Sequence, residues 1–510
     1  MTARSSRSML TVNFLVATSL GVSFLSYVAI ATLFGLTRHV DAFYAALMLP
    51  NLFVFLFVDY LGKNFLPVFA SARQAGFAEA SELTSSIVTI VAVFAAVVAL
   101  LLVLASRPVF ALLLPGFTAE EIEITVRYFL IMAPTIVLTA VTSFHEYVCQ
   151  YDEDYTRVTA IRTVLPVTNL AVILAAGPVI GPYALPLAFT LGHALAFLLM
   201  ARRARYRYSP RLAVREQWER KVFVNSAIVM SGGLLVRTRG LITTFLASQL
   251  GPGAVAALAL AQRLVEPVQR TTFTGIRMLL FTRVARLHTE SNTREIARLY
   301  TLGLSGSFLL LAPLLWWIGL HAEVIVRVLF ERGAFDAEMT ALVALALVGL
   351  VPSIVFFGVN ALLSNAFYAM DRVLVPTLVM PVGTAVYLVA APATYRPLGV
   401  FGLSLSLSAV AVVVFAILLG QLARHVPEFR ARVVAWRLAL YTLLSGAAAV
   451  AAVRLTGTGA GDAVDAVLSL VVGAGLYIGA LALVKDRTLA EVYEYFRRAW
   501  PSRASVRAAR

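Results

Sequence analysis

The chain has 510 residues, of which 60% are hydrophobic and only 14% are charged, and its formal net charge is +15. A mean hydropathy of +0.85 excludes a soluble domain of this length and indicates a polytopic helical membrane protein. The basic residues cluster in alternate loops, which follows the positive-inside rule and argues against a nucleic-acid partner. The lone Cys149 excludes a disulfide framework and a zinc cluster, and we interpret it as a small apolar residue of a membrane helix.

Apolar segments taken in chain order predict about fourteen membrane-spanning helices. The first follows Arg4 and Arg7, and it is too long for the apolar region of a signal peptide, so we expect it to be retained. The predicted spans cover residues 10–35, 43–68, 85–106, 125–149, 157–179, 182–201, 222–250, 253–282, 299–320, 338–366, 371–393, 398–423, 433–454 and 463–484.

The distribution of arginine predicts the orientation of these spans. Residues 202–221, 283–298, 424–432 and the tail from Lys485 are rich in arginine, whereas connections on the opposite side, such as 249–253, are short and nearly uncharged. Basic loops stay in the cytoplasm. We therefore predict a multi-pass protein of the cytoplasmic (inner) membrane with both termini in the cytoplasm.

Two sets of six spans look like copies of each other. Segment 112–120, Leu-Leu-Leu-Pro-Gly-Phe-Thr-Ala-Glu, matches segment 329–338, Leu-Phe-Glu-Arg-Gly-Ala-Phe-Asp-Ala-Glu, with one insertion, and Pro134 then corresponds to Pro352. Parallel repeats predict an all-α fold of two six-helix lobes with a substrate site between them. The predicted parts are an N-terminal lobe 1–201, a basic cytoplasmic linker 202–221, a C-terminal lobe 222–423, two extra C-terminal helices within 424–485, and a tail over 486–510, either an amphipathic helix or a frayed basic segment.

Five arginines interrupt predicted spans 7 and 8: Arg237, Arg239, Arg263, Arg270 and Arg277. A charge at bilayer depth costs at least about 2.5–3.5 kcal/mol and usually faces a water-filled cavity. The last three are seven residues apart, close to two helical turns, so they project from nearly one face. The planar donors of arginine suit phosphate oxygens, and all five are predicted to bind an anionic substrate. The alternatives are an Arg263–Glu266 ion pair and, for Arg277, an extension to the lipid headgroups.

Polar residues on predicted span 2 are candidates for gating. Asp59 and Lys63 are four residues apart on one helix face, which predicts either a local ion pair or a gate that breaks during transport. Asp41 lies at the predicted outer start of this span, where an acid favours a helix N-terminus. For Asp41 we consider both a capping role and an outer-gate role.

His145 and Glu146, near the inner end of span 4, are candidates for a proton relay or a cation site, with plain interface residues as the alternative. Arg162 on span 5 is expected near the same inner mouth. The sequence contains no catalytic triad, phosphate-binding glycine loop or metal-ligand cluster, so we predict no catalytic residues, no metal and no cofactor. Energy is expected from the membrane potential, a monovalent ion gradient or consumption of the product.

The repeated motifs resemble those of the MviN/MurJ family of lipid II flippases, within the superfamily of multidrug, oligosaccharidyl-lipid and polysaccharide exporters. The similar stretches are 34–46, 49–52, 65–69, 261–264, 329–335 and 365–369, with Pro376 downstream. The resemblance implies a flippase that carries a polyprenyl-diphosphate-linked glycan, lipid II or a relative, from the cytoplasmic to the outer leaflet by alternating access. It also implies contacts with membrane lipids and with enzymes of cell-envelope synthesis.

The chain departs from the family pattern in the first lobe. The family typically has arginines in span 1 and early in span 2, and the corresponding positions here are Leu20, Ser26, and Val54 or Phe55. Arg263 is retained, but the acid that usually precedes it is replaced by Gln262. These departures leave two further hypotheses: a different lipid-linked glycan, or a scaffold that has lost transport. A drug or cation antiporter of the same superfamily is disfavoured, because it needs acids where this chain has arginines.

Overall fold

The computed structural model describes residues 3–54, 60–202, 206–210, 222–223, 238–457 and 461–486, and four positions of the tail, 488, 490, 491 and 494. All regular structure within these ranges is helical, which confirms the predicted all-α fold. Nine helices in the described ranges are long and apolar enough to cross a membrane. The fourteen predicted spans are consistent with this architecture.

The chain forms two compact units. Unit 1 comprises Met1–Leu260 and Phe330–Thr340, and unit 2 comprises Ala261–Leu329 and Ala341–Arg510. Unit 1 therefore contains the first sequence repeat together with two short segments of the second. The lobe boundaries derived from the sequence stay a prediction.

Ten helices come from the first half of the chain. They are α1 (Ala3–Phe34), α2 (Arg38–Ala46), α3 (Met48–Phe53), α4 (Tyr60–Ala75), α5 (Phe77–Leu104), α6 (Ser106–Leu113), α7 (Ala119–Met132), α8 (Pro134–Tyr151), α9 (Tyr155–Ile180) and α10 (Ala184–Ala201). Helix α9 packs along both α1 and α10, and α8 packs against α5 and α10. Predicted span 4 is divided into α7 and α8 at Pro134, because proline lacks the N–H that would continue the helix.

The second half begins with the helical segment 238–247. It continues with α11 (Ala254–Thr289), α12 (Thr293–Leu320), α13 (Ala322–Phe330), α14 (Ala337–Ala369), α15 (Leu374–His425), α16 (Ala431–Thr456) and α17 (Asp462–Leu483). Predicted spans 11 and 12 are the two arms of α15, which is interrupted at Gly399, where φ is +57°. Glycine reaches this positive-φ conformation without the steric cost that a side chain adds.

Helices α16 and α17, the two predicted extra spans, pack on each other and on α12 of unit 2. Two adjacent tryptophans of α12 fix them: Trp316 Nε1 donates to the Thr442 carbonyl (2.9 Å), and Trp317 Nε1 donates to the Ala466 carbonyl (2.8 Å). Gly446 on α16 makes room for the first ring, since a Cβ there would lie 2.8 Å from it. The two extra helices are therefore an integral part of unit 2.

The sequence repeat extends to local structure. In each half a long helix, α5 or α12, is followed by a short helix, a loop, and a helix whose start is capped by a side chain. The Thr118 hydroxyl accepts from the Glu121 N–H (3.3 Å), and the Asp336 carboxylate accepts from the Met339 N–H (2.9 Å). We call residues 114–118 and 331–336 the two repeat loops.

Candidate functional site

Asp41 on α2 binds the start of a helix that lies more than two hundred residues later in the chain. Its carboxylate oxygens accept from the backbone N–H groups of Gly253 (2.5 Å) and Ala256 (2.7 Å), at the N-terminus of α11. The Asp41 residue is only 2% exposed. An acid satisfies the unpaired N–H groups of a helix start and interacts favourably with the helix dipole. Asp41 thus joins the first sequence half to α11 within unit 1.

Burial raises the pKa of Asp41 from its ordinary value of 3.8 to about 7. The N–H donors of Ala256 and Gly253 oppose this rise, and the negative charge of Glu121 adds to it. Glu121 is itself buried, accepts from the Thr118 N–H (2.7 Å), and forms an ion pair with Arg38 (3.4 Å). Two carboxyl groups therefore lie close together at this end of unit 1, which we call the outer end after the predicted topology.

The repeat loops add further contacts at the outer end. The Gly116 N–H donates to Ser248 Oγ (3.4 Å), so the first loop lies against the end of the helical segment 238–247. The Ala334 N–H donates to the Thr32 carbonyl (2.8 Å), so the second loop lies against the end of α1. Each loop thus contacts a segment of the other sequence half.

The opposite end of unit 1, which we call the inner end after the predicted topology, holds a charged pair formed by adjacent helices. Arg162 on α9 donates from Nε to both oxygens of Glu146 on α8 (3.2 and 3.1 Å) and from Nη2 to Oε2 (2.6 Å). The Glu146 side chain is 10% exposed, whereas that of Arg162 is 60% exposed. The structure thus brings together two of the three predicted inner-mouth residues.

The third predicted residue, His145, points to a different partner. Its Nδ1 lies 2.8 Å from the Val141 carbonyl, and its Nε2 lies 3.1 Å from the Tyr206 hydroxyl. Tyr206 opens the segment 206–210, which is the start of the linker between the sequence halves. His145 therefore contacts this segment, and a role in a proton relay or a cation site stays a prediction.

The segment 206–210 is held along α5 by backbone hydrogen bonds. Ser85 Oγ donates to the Arg207 carbonyl (3.1 Å) and accepts from the Ser209 N–H (3.1 Å). Ser81 Oγ, one turn earlier, accepts from the Arg207 N–H (3.4 Å). The start of the predicted cytoplasmic linker is thus ordered against the first sequence half.

Arg263 on α11 makes the ion pair that the sequence offered as its alternative role. Its Nη1 lies 3.2 Å from Glu266 Oε2, and both side chains are about 40% exposed (40% and 38%). Arg239 is half-buried on the segment 238–247, and Arg277 is exposed on α11. Substrate binding by these arginines stays a prediction.

Four predicted site positions lie outside the described residues. They are Arg237 and Asp59, and the side chains of Lys63 and Arg270. Within the described ranges, no three His, Cys, Asp or Glu side chains come together as a metal site.

Sequence reasoning missed three features. The Arg38–Glu121 pair and the cross-half loop contacts join residues that are distant in sequence, so no local spacing reveals them. The docking of 206–210 does have a local sign, because Ser81, Ser85 and Thr89 recur every fourth residue and form a polar stripe on an otherwise apolar helix.

The helical architecture is similar to that of solved membrane transporters. A solved structure titled "Lipid II flippase MurJ, inward closed conformation" has a TM-score of 0.80 and 14% identity, covering 94% of this chain and 99% of that chain. A solved structure of an inward-facing multidrug resistance MATE family transporter of the MOP superfamily has a TM-score of 0.67 and 14% identity. The match covers 80% of this chain and 94% of that chain. At these identities the likeness concerns the fold alone.

The chain belongs to the lipid II flippase MurJ family, whose sequence pattern matches residues 30–462. The lipid II flippase MurJ of Burkholderia cenocepacia is 26% identical over 364 residues, which cover 68% of this chain and 70% of that protein. The probable lipid II flippase MurJ of Bdellovibrio bacteriovorus is 26% identical over 426 residues, 80% of each chain. The predicted family is therefore confirmed, and with it a multi-pass membrane transporter rather than an enzyme.

Proposed function

We propose that this chain moves a polyprenyl-diphosphate-linked glycan, lipid II or a close relative, from the cytoplasmic to the outer leaflet by alternating access. The observation that carries the proposal is the family match over residues 30–462. Membrane lipids surround the apolar spans, and both termini and the linker 202–221 lie in the cytoplasm. Enzymes of cell-envelope synthesis are the proposed suppliers and consumers of the glycan.

Outward release requires that the outer end opens, and the Asp41 contact suits a closure that breaks and reforms. Its partners are two backbone N–H groups, of Gly253 and Ala256, and water satisfies these groups equally well when the contact parts. The Asp41 part of this closure therefore depends on the position of one carboxyl group. We propose that Asp41 and the two repeat loops separate from α11, segment 238–247 and α1 when the transporter opens outward.

Arg263 is the proposed contact for the diphosphate. Its guanidinium is partly exposed and is paired with Glu266 three residues later. An ion pair that is partly exposed to solvent contributes little free energy. A diphosphate with two or more charged oxygens can therefore replace the carboxylate of Glu266 as the partner of Arg263. The energy source is proposed to be the membrane potential or a monovalent ion gradient, since the sequence has no nucleotide-binding loop.

Replacing Arg263 tests the proposal. Arg263→Ala is expected to reduce flipping of a labelled polyprenyl-diphosphate glycan in proteoliposomes at least about tenfold, the value of one charge-assisted hydrogen bond. Arg263→Lys is expected to restore flipping only in part, because lysine keeps the charge and loses the two-pronged geometry. Both variants should retain the wild-type unfolding temperature, because the side chain is partly exposed.

Arg286→Ala is the matched control. Arg286 lies on the same helix and also pairs with a glutamate, Glu290 (3.0 Å), but it is 82% exposed near the helix end. Normal flipping by Arg263→Ala would contradict the role of Arg263. Absence of flipping by the wild-type protein would contradict the proposed function itself and favour the scaffold hypothesis.

A further inference from the structure

Helix α16 extends past its neighbour α17 at the end that the predicted topology places at the inner surface of the membrane. The Tyr441 hydroxyl of α16 donates to Asp486 Oδ2 (3.0 Å), just beyond the last residue of α17, so α17 ends level with Tyr441. The part of α16 before Tyr441 begins at Ala431 and is roughly 15 Å long, at about 1.5 Å per residue. This part of α16 therefore has a side that α17 does not cover.

Buried and exposed residues lie on opposite faces of α16. Val434 and Tyr441 are fully buried and are seven residues apart, close to two helical turns, so they mark the face that packs into unit 2. Arg432 and Trp436 each lie two residues from Val434, about 200° around the helix. Both are exposed, Trp436 to 68%. The two side chains therefore share the face that is turned away from unit 2.

The outward face of α16 changes in polarity along its length as a membrane does. Leu443 lies seven residues after Trp436 and is 72% exposed, and Val450 follows seven residues later and is also exposed. The exposed Arg454 ends this face, roughly 33 Å from Arg432 at about 1.5 Å per residue. That length matches the hydrocarbon thickness of a bilayer, about 30 Å. Arg432 and Trp436 therefore lie at the level of the lipid headgroups.

The polar groups of Arg432 and Trp436 are available to a ligand. Among the described residues, Arg432 has no ion-pair partner and the Trp436 indole N–H has no hydrogen-bond acceptor. Residues 424–437 contain four arginines and one acid, Glu428, which accepts from the Thr293 hydroxyl (2.9 Å). The local charge is therefore positive. Indole rings favour the membrane–water interface, and the planar donors of arginine suit phosphate oxygens.

We propose that the inner end of α16 binds an anionic phospholipid of the cytoplasmic leaflet. Arg432 contacts the phosphate, the Trp436 N–H donates to an ester oxygen, and an acyl chain lies along Leu443. An anionic headgroup complements the positive charge of residues 424–437, whereas a headgroup with its own cation would meet no unpartnered acid in that segment. This lipid site is independent of the transported substrate and so goes beyond the proposed function.

Native mass spectrometry of the full-length protein in detergent tests the site, with phosphatidylglycerol as the anionic probe and phosphatidylcholine as the zwitterionic one. In R432Q the dissociation constant of the first bound phosphatidylglycerol should rise at least about tenfold, because a charge-assisted hydrogen bond is lost. In W436F it should rise less, because only a neutral hydrogen bond is lost. Both variants should keep the wild-type unfolding temperature, since both side chains are exposed.

The matched control is R454Q. Arg454 is exposed on the same face of the same helix, but the residue one turn before it is Val450, and no indole lies beside it. R454Q removes the same charge as R432Q and should bind the first phosphatidylglycerol like the wild type. Equal weakening in R432Q and R454Q would show that only net charge matters and would overturn the inference.

The other outcomes identify a different occupant of this face. Wild-type affinity in R432Q, or equal affinity of the wild type for phosphatidylcholine, would overturn the anionic lipid site. Displacement of bound phosphatidylglycerol by inorganic pyrophosphate would assign Arg432 to a soluble anion instead. A wild-type dimer that W436F converts to a monomer would assign the face to a second copy of the chain, which also overturns the inference.

Discussion

The buried environment of Asp41 makes the stability of its contact with α11 depend on pH. Because burial raises its pKa to about 7, the carboxyl group holds its proton more tightly in the contact with α11 than in water. The contact is therefore most stable below the ordinary pKa of 3.8, and it loses stability as pH rises through about 7. We expect the unfolding temperature of the wild type to fall, relative to that of Asp41→Asn, as the pH rises from 3.8 to about 7, and the difference to level off at higher pH.

The asparagine is the appropriate reference because it resembles the protonated acid and does not titrate. Glu123→Gln serves as a control for general carboxylate effects, since Glu123 is half-exposed in the same unit. Parallel curves for the wild type and Asp41→Asn would show that the two N–H donors outweigh burial and that Asp41 remains ionised in the contact.

Single residues also show which contacts could be predicted from the sequence and which could not. The sequence placed Asp41 at a helix start and offered capping or gating, and the structure shows that the helix it caps is α11 rather than its own. The Arg263–Glu266 pair was predictable because three residues separate its members on one helix. The Arg162–Glu146 geometry was not, because it depends on how α8 and α9 pack.

At the scale of elements, the loop glycines allow the outer-end contacts to be tested one by one. A Cβ at Gly116 would collide with the Ser248 carbonyl, whereas Gly181 has a positive φ of +61° and open space around it. Gly333 combines both constraints, with a φ of +63° and the Thr32 carbonyl against it. The three positions therefore separate steric contact from backbone strain.

We expect Gly181→Ala to lower the free energy of unfolding by roughly 1–3 kcal/mol, the cost of a positive-φ conformation that is essentially restricted to glycine. Gly333→Ala should cost more, since it adds a collision with the end of α1. Gly116→Ala should loosen its loop from segment 238–247 without backbone strain. Denaturant unfolding in detergent measures all three, and equal effects of Gly181→Ala and Gly333→Ala would show that the Thr32 contact contributes nothing.

The elements themselves were largely predictable, because apolar length and the repeat of 112–120 in 329–338 are local sequence features. The positions at which a predicted span is interrupted were less predictable. Pro134 divides span 4, yet Pro352, its counterpart in the repeat, lies inside the continuous helix α14. A proline inside a membrane helix is tolerated where neighbouring groups satisfy the freed carbonyl, which sequence alone does not show.

For the whole molecule, the strongest untested expectation is the orientation in the membrane. Contacts within unit 1 place each of two segments at one end of its helices. Residues 206–210 lie along the start of α5, and Gly253 lies against Asp41 at the outer end. Positions 210 and 252 should therefore face opposite sides of the membrane. The arginine-rich segments predict that position 210 and the tail lie in the cytoplasm.

Single cysteines in the full-length chain test this orientation. In a Cys149→Ser background, Pro210→Cys and Arg510→Cys should react with a membrane-impermeant maleimide only after the cells are permeabilised. Pro252→Cys, which lies in an exposed turn beside the Asp41 contact, should react in intact cells. Growth or flipping by each variant must match that of the parent, so that labelling reports the native fold. Labelling at 210 in intact cells would invert the topology, and Asp41 would then close the cytoplasmic end.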